Sequence, residues 1–137
     1  MTKKTKIGFT CSCFDLLHAG HILMLKDAKA QCDKLIVGLQ TDPTIDRPEK
    51  NKPIQSYEER YIQLEAVKYV DEIIKYETEN ELYGIIYDLM PDVRILGSDY
   101  KGKYFTGIEI HGVDIYYHER DHDYSTSSLR KKIIKKA

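Results

Sequence analysis

Hydrophobic positions along this chain switch between two periods, and the switches mark its elements. Ile7-Gly8-Phe9-Thr10-Cys11 is a short apolar run, which predicts a first strand over residues 5 to 12. Ile22, Leu25, Ala28 and Cys32 then recur at helical spacing, predicting a helix with one apolar stripe that ends near Asp33. Leu35-Ile36-Val37-Gly38-Leu39 is apolar without alternation, the pattern of a strand buried on both faces. From Thr41 to Gln55 the chain turns polar, with Pro43, Pro48 and Pro53 interspersed among Arg47, Lys50 and Lys52, and reads as a loop. Ser56-Tyr57-Glu58-Glu59 has capping-box spacing and opens a second helix, with Tyr57, Tyr61, Leu64 and Val67 facing the core.

The second half continues the alternation. Glu72 to Tyr76 reads as a short strand, and Thr78-Glu79-Asn80-Glu81 is a second capping box. It starts a helix through Leu82, Ile85, Ile86 and Leu89 that stops before Pro91. Val93-Arg94-Ile95-Leu96 is a fourth strand ending at Gly97-Ser98-Asp99, and Val113 to His118 is a fifth. Ser125 or Thr126 caps a last helix, Ser127 to Lys136. The expectation is an α/β, Rossmann-like, three-layer fold around a five-stranded, mostly parallel sheet, with residues 1–137 forming a single domain. Ligands of such sheets sit beyond the carboxyl ends of the strands, near a topological switch point. The polar clusters of this chain follow strand ends, so they point to one shared cleft.

Charge and composition narrow the function. The formal net charge is −1 with 31% charged residues, a mixed surface rather than the basic excess of a general nucleic-acid binder. The start lacks a secretory pattern and no apolar run has membrane-spanning length, so neither a leader nor a membrane partner is expected. Three cysteines without framework spacing suit a reducing, cytoplasmic setting.

The candidate chemistry lies in Cys13-Phe14-Asp15-Leu16-Leu17-His18-Ala19-Gly20-His21, between the first strand and the first helix. Two imidazoles three residues apart share a helix face, and Gly20 between them lets a ligand approach the backbone. The N–H groups and positive dipole end of the helix favour an anion there, and imidazoles can donate hydrogen bonds to phosphate oxygens. Two histidines also suit a metal, but a closed site needs further ligands. Cys11 and Cys13 read better as small core residues, and no metal ligands are assigned.

With these residues in place, the chain resembles the nucleotidyltransferase superfamily whose signature is H-x-G-H. Within it the chain is most similar to the small cytidylyltransferases, above all those acting on glycerol 3-phosphate. The resemblance rests on Phe14 to His21, Ser56-Tyr57-Glu58-Glu59-Arg60, Lys68 to Glu72, Gly97-Ser98-Asp99-Tyr100-Lys101-Gly102-Lys103, and Arg120 with Ser125-Thr126-Ser127. It implies transfer of CMP from CTP to a small alcohol phosphate, with release of pyrophosphate and Mg²⁺ accompanying the triphosphate. It also implies a homodimer. By the match, His18, His21, Lys50 and Arg120 are catalytic. Cys13, Phe14, Ala19, Gly20, Lys52, Asp99, Ser125, Thr126 and Ser127 bind the nucleotide, and Asp15, Lys50 and Arg60 the acceptor. The basic tail, Arg130-Lys131-Lys132 and Lys135-Lys136, reads as a solvated helix face.

Departures from the pattern leave alternatives open. Ser12-Cys13 stands where the glycerol-phosphate enzymes have Gly-Thr, Asp121 and Asp123 enter the last motif, and the segment from Thr78 to Glu81 is acidic where basic residues are expected. An adenylyltransferase of the same superfamily is one alternative. A cytidylyltransferase for phosphoethanolamine or phosphocholine is another, and a catalytically silent nucleotide-binding module is a third.

Overall fold

The computed structural model describes residues 4–120 and 124–136. Strand β1 (Ile7–Ser12) leads into helix α1 (Ala19–Ala30), followed by β2 (Lys34–Gln40). Helix α2 (Tyr57–Glu65) and β3 (Glu72–Tyr76) come next, then α3 (Glu79–Leu89), β4 (Val93–Gly97), β5 (Asp114–His118) and α4 (Thr126–Lys136). The sheet runs β3-β2-β1-β4-β5 and every pairing is parallel. The chain winds outward from β1 through β2 to β3, then returns to lay β4 on the other side of β1. That reversal puts the switch point, and with it a crevice, beyond the carboxyl ends of β1 and β4.

The unbroken apolar run of β2 follows from its place between two cores. Leu35, Val37 and Leu39 pack with Leu25 and Ala28 of α1 and Leu64 of α2, on one face. Ile36 points to the other, where Phe9 and Tyr76 meet Leu82 and Ile86 of α3. The expected three-layer, Rossmann-like α/β arrangement is what the chain forms. No helix among the described residues is long and apolar enough to cross a membrane.

Several boundaries differ from the sequence reading, each for a local reason. Helix α1 ends at Ala30, and Gln31 caps it through backbone N–H bonds to Ala28 and Lys29, so Cys32 lies past its end. Helix α2 stops at Glu65, yet Val67 still joins the core from the turn that follows. The proline-bearing loop contains one 3₁₀ turn, Pro43–Ile45, capped by the Asp42 side chain. Met90 closes α3 in the left-handed conformation, φ 43°, just before Pro91.

Gly38 marks the tightest place in the sheet. A Cβ there would stand 3.0 Å from Cys11 Cβ, 3.0 Å from the Phe9 ring and 3.2 Å from the Tyr76 ring. Gly38→Ala is expected to destabilise the fold by about 1–3 kcal/mol through overpacking. A urea-unfolding midpoint no lower than that of the wild type would contradict this packing.

Candidate active site

The turn between β1 and α1 is strained and held. Phe14 and Leu16 have φ of 48° and 51°, the left-handed region that residues with a Cβ enter at a cost of about 1–2 kcal/mol each. Phe14 recovers it by burying its ring in the α1-side core. Arg60 donates to the Cys13 carbonyl at 2.9 Å, and Leu16 N–H donates to Gln55 Oε1 at 2.9 Å. The Asp15 carboxylate accepts from the Ile54 and Gln55 amides at 2.9 and 3.0 Å. These bonds fasten the turn to the segment that enters α2.

Helix α1 is capped by imidazoles. His18 is its N-cap, with Nδ1 accepting from Gly20 N–H at 3.0 Å, while His21 Nδ1 accepts from His18 N–H at 3.2 Å. The rings stack with centroids 3.9 Å apart. An Nδ1 that accepts carries no proton, so both rings hold theirs on Nε2. Burial, with the neighbouring His18 ring, pulls the His21 pKa from 6.5 down to about 4, against a smaller opposite pull from Asp15. At neutral pH His21 is therefore an uncharged donor.

Helix α4 closes over the same turn. Arg130 Nη2 lies 2.8 Å from Asp15 Oδ2, and Thr126 Oγ1 donates to the Asp15 carbonyl at 3.1 Å. Ser125 caps α4 by accepting from Ser128 N–H at 2.9 Å. Burial alone would raise the Asp15 pKa, but the Gln55 and Ile54 amides together with Arg130 outweigh it and hold the carboxyl below its ordinary value.

A cleft of about 1100 Å³ opens over the switch point, larger than one nucleotide needs. Cys13, Phe14, Asp15, His18, Gly20, His21, Lys50, Asp99, Arg120, Ser125, Thr126 and Ser127 line it. Its other wall was not foreseen. Arg47 pairs with Glu79 at 3.1 Å, the Thr106 hydroxyl donates to Glu79 Oε2 at 3.3 Å, and Arg94 Nη1 donates to the Thr106 carbonyl. His118, at the end of β5, also borders the cleft, its Nδ1 2.8 Å from Asp27 Oδ2.

Sequence expectations change at five residues. Arg60, expected to touch the acceptor, is 2% exposed and gives its guanidinium to the carbonyls of Cys13, Gln40, Thr41 and Gln55. It fastens the walls of the site rather than lining it. Asp15 borders the cleft, but its carboxylate is already filled by two amides and Arg130. Arg130 is no solvated tail residue, since Asp15 draws it into the site, whereas Lys131, Lys132, Lys135 and Lys136 are exposed. Lys52 and Ala19 are exposed and stand outside the lining. Asp121 and Asp123 lie outside the described residues.

The profile of the cytidylyltransferase-like family matches residues 9–132. The chain belongs to this family. Among its relatives, the bifunctional protein HldE of Wolinella succinogenes is 42% identical over 106 residues, covering 77% of this chain and 22% of that protein. HldE of Helicobacter pylori is 40% identical over 129 residues, covering 93% of this chain and 27% of that one. This chain thus spans about a quarter of the length of these relatives. A lipopolysaccharide core biosynthesis protein from Thermoplasma volcanium shares 27% identity with TM-score 0.67, covering 89% of this chain and all of that one. Pantothenate synthetase of Thermus thermophilus, at 13% identity and TM-score 0.63, shares the fold.

The His21 shift gives this family member a defined acid response. An unfolded chain takes up a proton at His21 near pH 6.5, and the folded chain only near pH 4. Stability therefore rises with pH across that window and falls as pH drops through it, by about 3 kcal/mol in all. Asp15, held below 3.8, weakens the fold only at more acid pH. His21→Gln is expected to flatten the stability profile between pH 6.5 and 4. Parallel profiles for variant and wild type, measured by urea unfolding, would contradict the assignment.

Proposed function

We propose that this chain transfers a nucleotidyl group from a nucleoside triphosphate to the phosphate of a small phosphorylated sugar or polyol. The observation that carries this reading is the histidine capping box. It fixes both imidazoles as Nε2–H donors at the open N-terminus of α1, on the wall of a cleft with room for two substrates. An oxygen of the acceptor phosphate attacks the α-phosphorus. That P–O bond forms as the bond from the α-phosphorus to the bridging oxygen breaks, and pyrophosphate leaves with the electron pair. In this direct transfer no protein group becomes bonded to the α-phosphorus, so the protein's work is positioning and charge stabilisation.

In this reading His18 and His21 donate to the triphosphate oxygens. The N-terminus of α4, with Ser125, Thr126 and Ser127, receives phosphate from the facing side, and Arg120 and Lys50 stand at the rim. The Cys13 thiol, where a hydroxyl was expected, is pushed up to about 11 by burial, against the pull of Arg60 and Arg47, and so adds no negative charge beside the phosphates. Magnesium would supply further neutralisation of the triphosphate. Among the described residues no three His, Cys, Asp or Glu side chains converge, so the triphosphate oxygens and water would supply most of its ligands.

For the substrate pair, our reading is ATP with a phosphorylated sugar. The relatives bearing the HldE name support the adenylyl donor over the cytidylyl one. The lipopolysaccharide core neighbour supports a sugar acceptor. CTP with glycerol 3-phosphate is the second reading, favoured by the match of the first and middle motifs. A cationic acceptor such as phosphoethanolamine finds less support, because the acidic start of α3 is used internally. Glu81 caps its own helix and Glu79 pairs with Arg47.

Pyrophosphate release with Mg²⁺ tests the proposal, crossing ATP and CTP against sugar 1-phosphates, glycerol 3-phosphate, phosphoethanolamine and phosphocholine. Turnover is expected with ATP and a sugar 1-phosphate, and His21→Ala is expected to lower kcat at least about 100-fold while the fold survives. Turnover that persists undiminished in the folded variant would remove the histidines from the mechanism. A folded chain that binds neither triphosphate would overturn the function itself.

A further inference from the structure

Arg94 is the charge least accounted for by the fold. It occupies a mid-strand position of β4 between Val93 and Ile95, which both pack in the α1-side core, and is only 3% exposed. Its guanidinium lies over Phe105, with Cζ 5.1 Å from the ring centroid, and donates to the Thr106 carbonyl at the border of the cleft. Its Nε is buried without a hydrogen-bond partner, and no carboxylate among the described residues lies within ion-pairing distance. An unpaired buried cation is costly, and the cost is recovered where an anion arrives.

Arg47 extends the same wall. Its Nη2 meets Glu79, its own Nε is also buried and unpartnered, and Glu79 connects through Thr106 to Arg94. Glu79 pairs with Arg47 and reaches Arg94 only through Thr106, so the Arg94 guanidinium keeps no carboxylate partner of its own. This wall stands at the start of α3, on the opposite face of the sheet from α1 and its histidines. We propose that Arg94 and Arg47 form a second anion subsite, which holds the phosphate of the acceptor while the histidine side holds the triphosphate. The inference rests on the nucleotidyl-transfer reading and deepens it. Planar guanidiniums suit a phosphate dianion, which they can hold through paired N–H bonds.

Calorimetric titration of inorganic phosphate into the full chain tests this, with the protein first saturated with Mg²⁺ and the α,β-methylene analogue of ATP. The saturated wild type is expected to take up one phosphate. Arg94→Gln should weaken that binding about tenfold or more, Arg94→Lys less, and the analogue's own affinity should stay within about twofold. Arg47→Gln, at a partly exposed position, supplies the same readout if Arg94→Gln fails to fold. Phosphate affinity unmoved in these variants would overturn the subsite. So would a parallel loss of analogue affinity, which would assign Arg94 to the triphosphate. Failure of both this analogue and its CTP counterpart to bind would sink the nucleotidyl reading alone, and phosphate titrated without them still reports whether Arg94 holds an anion.

Discussion

The geometry of the cleft depends on one buried carboxylate. Asp15 sits in a turn whose neighbours, Phe14 and Leu16, occupy left-handed backbone, a conformation that a free loop would leave. Its two oxygens take the Ile54 and Gln55 amides and the Arg130 guanidinium, and its carbonyl takes Thr126. One residue thus ties together the turn before α1, the end of the lysine-bearing loop and the start of α4. Those are the segments whose polar groups border the histidine side. A carboxylate filled in this way is unavailable to a substrate, and the site gains from that. It is a fixed anchor against which the histidines and the α4 terminus keep their spacing.

Arg60 does the complementary work with the opposite charge. One guanidinium serves four backbone carbonyls, those of Cys13, Gln40 and Thr41 at the ends of β1 and β2 and that of Gln55 at the entry to α2. Lysine, a compact charge without a planar fork, would not reach them together. Asp15 gathers N–H groups and Arg60 gathers carbonyls, so between them they pair the irregular backbone from both sides.

Much of the fold was legible because it is written in local signals. The capping boxes at Ser56 and Thr78, the stop at Pro91 and the continuous run of β2 all act over a few residues, and all appear where they were read. Family resemblance named many of the residues that line the cleft, but it could not say which of them face a ligand and which are consumed by the scaffold. Asp15 and Arg60 belong to motifs and turn out to be braces. Arg94 and Arg130 belong to no motif and turn out to border the cleft. Their partners, Thr106 and Asp15, are 12 and 115 residues away in sequence. An arginine in the pattern of a strand or of a basic tail carries no local sign of such a partner. The one available hint was Arg94 itself, a charge at an interior position of a strand otherwise apolar.

The four helix starts divide by charge in a way that bears on mechanism. Helices α2 and α3 begin with glutamates, Glu58 and Glu59 in one and Glu79 and Glu81 in the other, which complement their dipoles from within. Helices α1 and α4 have no acidic residue in the first turn, and their caps are uncharged, imidazole in one and hydroxyl in the other. These two are also the helices whose starts line the cleft on either side of Asp15. Their positive ends are left for an external anion, while α3, at the opposite wall, must draw its positive charge from arginine side chains instead. Nucleotidyl transfer brings two anionic phosphates within bonding distance, against strong mutual repulsion. A cleft with backbone dipoles on one wall and buried guanidiniums on the other can lower that repulsion from both sides, and it does so without a mobile charge that would have to reorganise as the reaction proceeds.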